Sequence, residues 1–138
     1  MRKIKLVEVR SEIAAGTRGA SLGVDALKIA SLDKKSNFFS QFEPISVPDA
    51  NNFLWKGNKH PYANYIDGVY QVVKNVYSTI ESLRLEKKFP IVLAGDHSTA
   101  AGTHADKAQI AGFQAGFGQD EIGEHIGRAT RCGDADFF

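Results

Sequence analysis

Near the N-terminus the apolar residues of KIKLVEV fall at Ile4, Leu6, Val7 and Val9. The mixture of alternation and unbroken apolarity predicts a strand buried on both faces, or nearly so. Residues 11–23 are rich in Gly, Ser and Ala and read as a loop. Helical spacing of Val24, Leu27 and Ala30 predicts a first helix over residues 24–32. A second short strand is expected over residues 42–47, closed by Pro48, and residues 49–60 read as a loop anchored by Phe53 and Trp55. The strongest periodicity follows: Ile66, Val69, Tyr70, Val73, Val76, Ile80 and Leu83 recur every three or four residues. They form one apolar stripe on a helix of about six turns. Pro61 suits its first turn, and Lys87 and Lys88 suit the negative end of its dipole. Pro90 stops the helix and opens a strand over residues 91–94, after which Thr99, Ala100 and Ala101 read as the start of another helix.

Strands alternating with helices imply an α/β fold, a mostly parallel sheet with right-handed crossovers. Such sheets bind ligands at the C-terminal ends of their strands. Asp96 and His97 lie just past the end of a strand that reads as central. After Thr103 the pattern changes. Residues 104–138 hold no Val and no Leu, and six of the thirteen glycines. Ile110, Phe113 and Phe117 could line one short helix there, and Ile122 and Ile126 another, but nothing reads as a buried strand. The expected organisation is an α/β part over residues 1–103 and a divergent Gly-rich tail over residues 104–138.

Composition narrows the classes. The chain has 138 residues, 43% of them hydrophobic and 24% charged, as in an ordinary globular domain. A net charge of +1 gives no sign of a nucleic-acid partner or an anionic membrane, and no run reaches the ~18 apolar residues of a membrane helix. Cys132 is the only cysteine, which leaves no intrachain disulfide and no cysteine metal cluster. The charged N-terminus lacks the apolar stretch of a signal peptide, so a cytoplasmic location is expected.

Gly95-Asp96-His97-Ser98 supports two readings. In one it is a strand-to-helix turn in which Gly95 relaxes the backbone and Asp96 or Ser98 accepts from helix N–H groups. In the other, His97 is a metal ligand, with Asp96 adding a ligand or orienting a neighbour. One imidazole is not a hydrolytic metal site, which needs three or more ligands and an open position.

The run Ile91-Val92-Leu93-Ala94-Gly95-Asp96-His97-Ser98 resembles the first metal motif of the ureohydrolases, the arginase and agmatinase family, with Ala94 at the usual first glycine. Gly16-Thr17-Arg18-Gly19-Ala20-Ser21-Leu22-Gly23 is similar to the arginase N-terminal signature, with Val24 at its usual proline. The resemblance covers about residues 3–103, and its N-terminal wording is most similar to bacterial arginases. It implies a three-layer α/β/α fold and a pair of manganese ions sharing a hydroxide that attacks a guanidinium carbon, releasing urea and an amine. It also implies that His97 is the family's first histidine ligand, with Asp96 and Ser98 as structural neighbours.

The departures concern the other ligands. The family's Asp-Ala-His-x-Asp and Ser-x-Asp-x-Asp motifs are missing. His104-Ala105-Asp106 copies part of the first but lies seven residues after His97, too close for an intervening helix and strand. Asp134-Ala135-Asp136 copies part of the second at the chain terminus and reads as solvated tail; Glu124-His125 is a remaining pair that spacing alone supports little. The expected function is hydrolysis of L-arginine to ornithine and urea by an incomplete form of the enzyme, its partner a small guanidino compound. The alternatives are an inactive fragment and a small binding module with Arg18-Gly19 as an anion site. A half-sheet would expose an edge strand and apolar helix faces, which favours poor stability or self-association.

Overall fold

Three strands form a parallel sheet in the computed structural model, which describes residues 3–58 and 60–116. They are β1 (Ile4–Val9), β2 (Ile45–Val47) and β3 (Phe89–Ala94), ordered β2-β1-β3. Helix α1 (Gly23–Asp33) joins β1 to β2, α2 (Ile66–Leu85) joins β2 to β3, and α3 (Thr99–His104) follows β3. These elements lie in one compact unit, Met1–His104; α4 (Lys107–Gly116) belongs to a second, Ala105–Phe138. The first unit is an α/β arrangement, as expected, with β1 and β3 parallel and in register from Ile4 opposite Phe89 to Val9 opposite Ala94.

Leu6, Val7, Glu8 and Val9 are all buried, as a strand covered on both faces requires. Successive side chains point to opposite faces. Val7 and Val9 join Val47 and Ile13 against Val72, Val76, Ile80 and Leu83 of α2. Glu8 points the other way, where its carboxylate meets Lys28 Nζ of α1 at 2.6 Å and Arg10 Nη2 at 3.2 Å. Arg10 in turn makes a two-pronged contact to Asp25 of α1, at 2.5 and 2.8 Å. The sheet therefore lies between α2 and α1, the first held by apolar packing and the second largely by ion pairs. Helix α3 approaches α2 closely: a Cβ at Gly102 would stand 2.5 Å from the Val73 carbonyl oxygen and 2.9 Å from Val76 Cβ.

Several expectations need correction. Trp55 is 92% exposed and anchors nothing, whereas Phe53, in a 3₁₀ turn at Asn51–Trp55, packs against the core. Helix α2 starts at Ile66, behind Tyr65 at φ 53°, so Pro61 precedes the helix instead of occupying its first turn. Ladder pairing reduces the second strand to Ile45–Val47. The loop over residues 11–23 ends early: Ala20–Leu22 form a 3₁₀ turn and Gly23 already belongs to α1. Of the α1 stripe only Val24 is buried; Leu27 and Ala30 are exposed.

In the second unit, the Gln109 N–H donates to Asp106 Oδ1 at 2.8 Å and the Asp106 N–H donates to Gln109 Oε1 at 2.9 Å. That reciprocal pair is a capping box and accounts for the start of α4. Phe117, Ile122 and Ile126 lie outside the described residues.

Candidate functional site

The sheet order gives the site its place. From β1 the chain moves to one side through α1 and later returns on the other side as β3. The helices that follow β1 and β3 lie on opposite faces: α1 on the Glu8 face, and α3 on α2. The loops leaving these two neighbouring strands meet at their C-terminal ends, the place where sheets of this kind bind ligands. Ser11 and Glu12 enter it from β1, and Gly95 to Ser98 enter from β3.

The β3 exit turn is fastened tightly. The Gly95 N–H continues the ladder, donating to the Val9 carbonyl at 3.0 Å. A Cβ on Gly95 would lie 2.2 Å from the Ser11 carbonyl oxygen and 3.0 Å from that of Ala20, so no side chain fits there. Asp96 spends its carboxylate on four donors. Oδ2 accepts from Ser11 Oγ at 3.1 Å and from the Ala14 N–H at 3.3 Å; Oδ1 accepts from the Ser98 N–H at 2.9 Å and Ser98 Oγ at 2.5 Å. Thr99 Oγ1 donates to the Asp96 carbonyl at 3.1 Å. The turn thus starts α3 through side-chain hydrogen bonds while Asp96 also grips the loop after β1.

A second carboxylate organises that loop. Glu12 Oε2 accepts from the Gly19 N–H at 2.9 Å, the Ser21 N–H at 3.3 Å and Ser21 Oγ at 2.8 Å. The Ser21 hydroxyl, then the Gly19 and Ser21 amides, hold the Glu12 carboxyl below the usual carboxylate range; nearby Arg18 acts in the same direction. Asn51 continues the pairing past the end of β1, accepting from the Glu12 N–H at 3.0 Å and donating to the Arg10 carbonyl at 2.8 Å. Arg18 is exposed, and the Gly19 and Ser21 amides beside it already donate to Glu12.

His97 lies in this turn with its side chain exposed. Among the described residues no three His, Cys, Asp or Glu side chains gather as a metal site. Asp96 faces Ser11, Ala14 and Ser98, and Asp106 caps α4. The described residues therefore do not by themselves fit a binuclear metal centre. Glu124, His125, Asp134 and Asp136 lie outside the described residues. Ser11, Glu12 and Asn51 were not singled out from the sequence. Ser11 and Asp96 are 85 positions apart, and only the adjacency of β1 and β3 connects them.

A family model described as the Arginase family matches residues 2–117. An arginase of Brevibacillus brevis is 27% identical over 112 residues, which cover 78% of this chain and 36% of that protein. The chain thus spans little more than a third of the length of that curated relative. No solved structure matches it.

Proposed function

Because the chain belongs to the arginase family, we propose that it is the N-terminal part of a guanidino-group hydrolase acting on L-arginine, incomplete as a catalyst by itself. What carries this reading is the position of His97, on a turn clamped between the C-terminal ends of two adjacent parallel strands where the sheet changes direction. In the family arrangement that position holds the first histidine ligand of a manganese pair. The similarity to the Brevibacillus arginase reaches through this turn and covers a minor part of that protein. Agmatine and formimidoylglutamate are the competing substrates within the same chemistry. In this reading the α/β part over residues 1–103 carries the ligand position and residues 104–138 are a divergent tail, of which the family model still matches residues 104–117.

Urea release from L-arginine is the test. The chain loaded with manganese should release no more urea than a metal-free control, because positioning several ligands is most of what such a site contributes. A chimera joining residues 1–103 to the portion of the Brevibacillus arginase without a counterpart here should release urea with manganese, and His97→Ala should abolish it. A chimera that folds, binds manganese and leaves arginine intact would overturn the substrate assignment. Manganese-dependent urea release by the chain alone, lost in His97→Ala, would show it to be complete and direct attention to Asp106, His125, Asp134 and Asp136.

A further inference from the structure

We infer that Ser11 and Asp96 form a positioning latch, which sets the His97 turn on the exit of β1 and takes no part in binding metal. The inference rests on the reading of His97 given above. Ser11 is fully buried, and its hydroxyl both donates to Asp96 Oδ2 and accepts from the Ile13 N–H at 3.4 Å. Each Asp96 oxygen serves a different segment: Oδ2 the loop after β1, Oδ1 the turn that carries His97. A carboxylate is the one side chain of this size that accepts on both sides at once; an amide in its place must turn its NH2 toward one set of donors. Gly95 lets the two segments come this close, since any Cβ there would collide with the Ser11 carbonyl. The loop held by the latch is itself fixed by Glu12 on Gly19 and Ser21, and the Ser21 Cα lies 3.1 Å from the position of a Gly95 Cβ. His97 is thereby held from both flanks by its neighbours in sequence, while its own imidazole stays exposed.

The test uses the full chain, without metal or substrate, so the latch and the proposed activity can fail separately. Amide hydrogen exchange and the 1H–13C signals of the His97 ring would be compared in the native chain, Ser11→Ala and Asp96→Asn. In Asp96→Asn, exchange at Ala14 or Ser98 should accelerate by at least about ten-fold, as expected for losing hydrogen bonds to a charged acceptor. The His97 signals should shift or double, while exchange along the β1–β3 ladder stays within about two-fold of native. Ser11→Ala should affect Ala14 and His97 in the same direction and leave Ser98 nearly unchanged, because Ser98 keeps Oδ1. Native-like exchange and His97 signals in both variants would overturn the latch. So would uniform acceleration along the ladder, which would make Asp96 a general stabiliser without a local effect on His97.

Discussion

Helices α1 and α2 flank the same central strand, yet one is built into the core and the other is held largely by its charges. Along α2, Val72, Val73, Val76, Ile80 and Leu83 are all buried, and most of them touch β1 or β2 side chains. Along α1 only Val24 is buried, while Leu27, Ile29 and Leu32 are 53%, 61% and 73% exposed among the described residues. What fastens α1 is the ionic set of Glu8, Lys28, Arg10 and Asp25. Apolar burial scales with area removed from water, whereas partly exposed ion pairs are worth little. The α2 face should therefore carry most of the first unit's stability. The α1 face carries apolar side chains in the manner of a helix with a neighbour, in a chain that spans 36% of its curated relative.

The largest expected effect is on the α2 side. Ile80 is 1% exposed within the core cluster, so Ile80→Ala should cost about 2–5 kcal/mol in a urea or guanidinium titration. A loss below about 1 kcal/mol would mean that the two faces are more alike than their burial indicates. This half of the comparison was legible in the sequence, because a long stripe with period 3.6 is the clearest signal a chain carries. Even there Val72 is buried without belonging to the stripe, because it packs in the same core cluster as Val76 and Ile80, against the sheet. The α1 stripe shares that period and is buried only at Val24, because periodicity shows which residues could face a neighbour and not whether one is present. Trp55 misled for a related reason: it is expected to anchor its loop beside Phe53, but the 3₁₀ turn that packs Phe53 against the core turns it outward. The site was half legible. His97 stood out by its motif, whereas the roles of Ser11, Glu12 and Asn51 depend on strand adjacency.

Next in size is the ionic fastening of α1. Glu8 is 3% exposed, and its carboxylate is met by Lys28 and Arg10. Lys28→Met keeps the length of the side chain and removes its charge. It should cost about 1–3 kcal/mol, less than full loss of a buried carboxylate's partners because Arg10 remains. In a Glu8→Gln background the same change should cost markedly less, and the difference is the coupling energy. An equal cost in both backgrounds would mean that Lys28 acts through packing of its stem.

Acid should loosen the same side of the molecule by a smaller amount. Asp25 is held below its usual pKa by its hydrogen bonds to Arg10, and Glu12 by the Ser21 hydroxyl and the amides of Gly19 and Ser21. Both folded-state values lie below the unfolded ones, so their stabilisation is fully present above the unfolded range near pH ~4. It is lost as pH falls through the depressed values. Denaturation midpoints should thus decline below about pH 4, and less steeply in Glu12→Gln, which no longer titrates there. A Glu12→Gln profile as steep as the native one would place the acid sensitivity in other carboxylates.

The smallest effect on stability is expected where the apolar surface looks most out of place. Leu27→Ser and Leu32→Ser on α1 should each change unfolding free energy by no more than about 0.5 kcal/mol, because both side chains already face water. Their combined effect on association should be larger. Leu27, Ile29 and Leu32 lie on one short helix, and an exposed apolar patch favours binding to whatever apolar surface is available. Light scattering across a concentration series should show the double variant remaining smaller, or staying soluble at higher concentration, than the native chain. A cost above about 1 kcal/mol for either single change would instead mean that the face is covered by residues beyond those described. In that event the contrast between α1 and α2 would disappear, and α1 would be packed like its counterpart across the sheet.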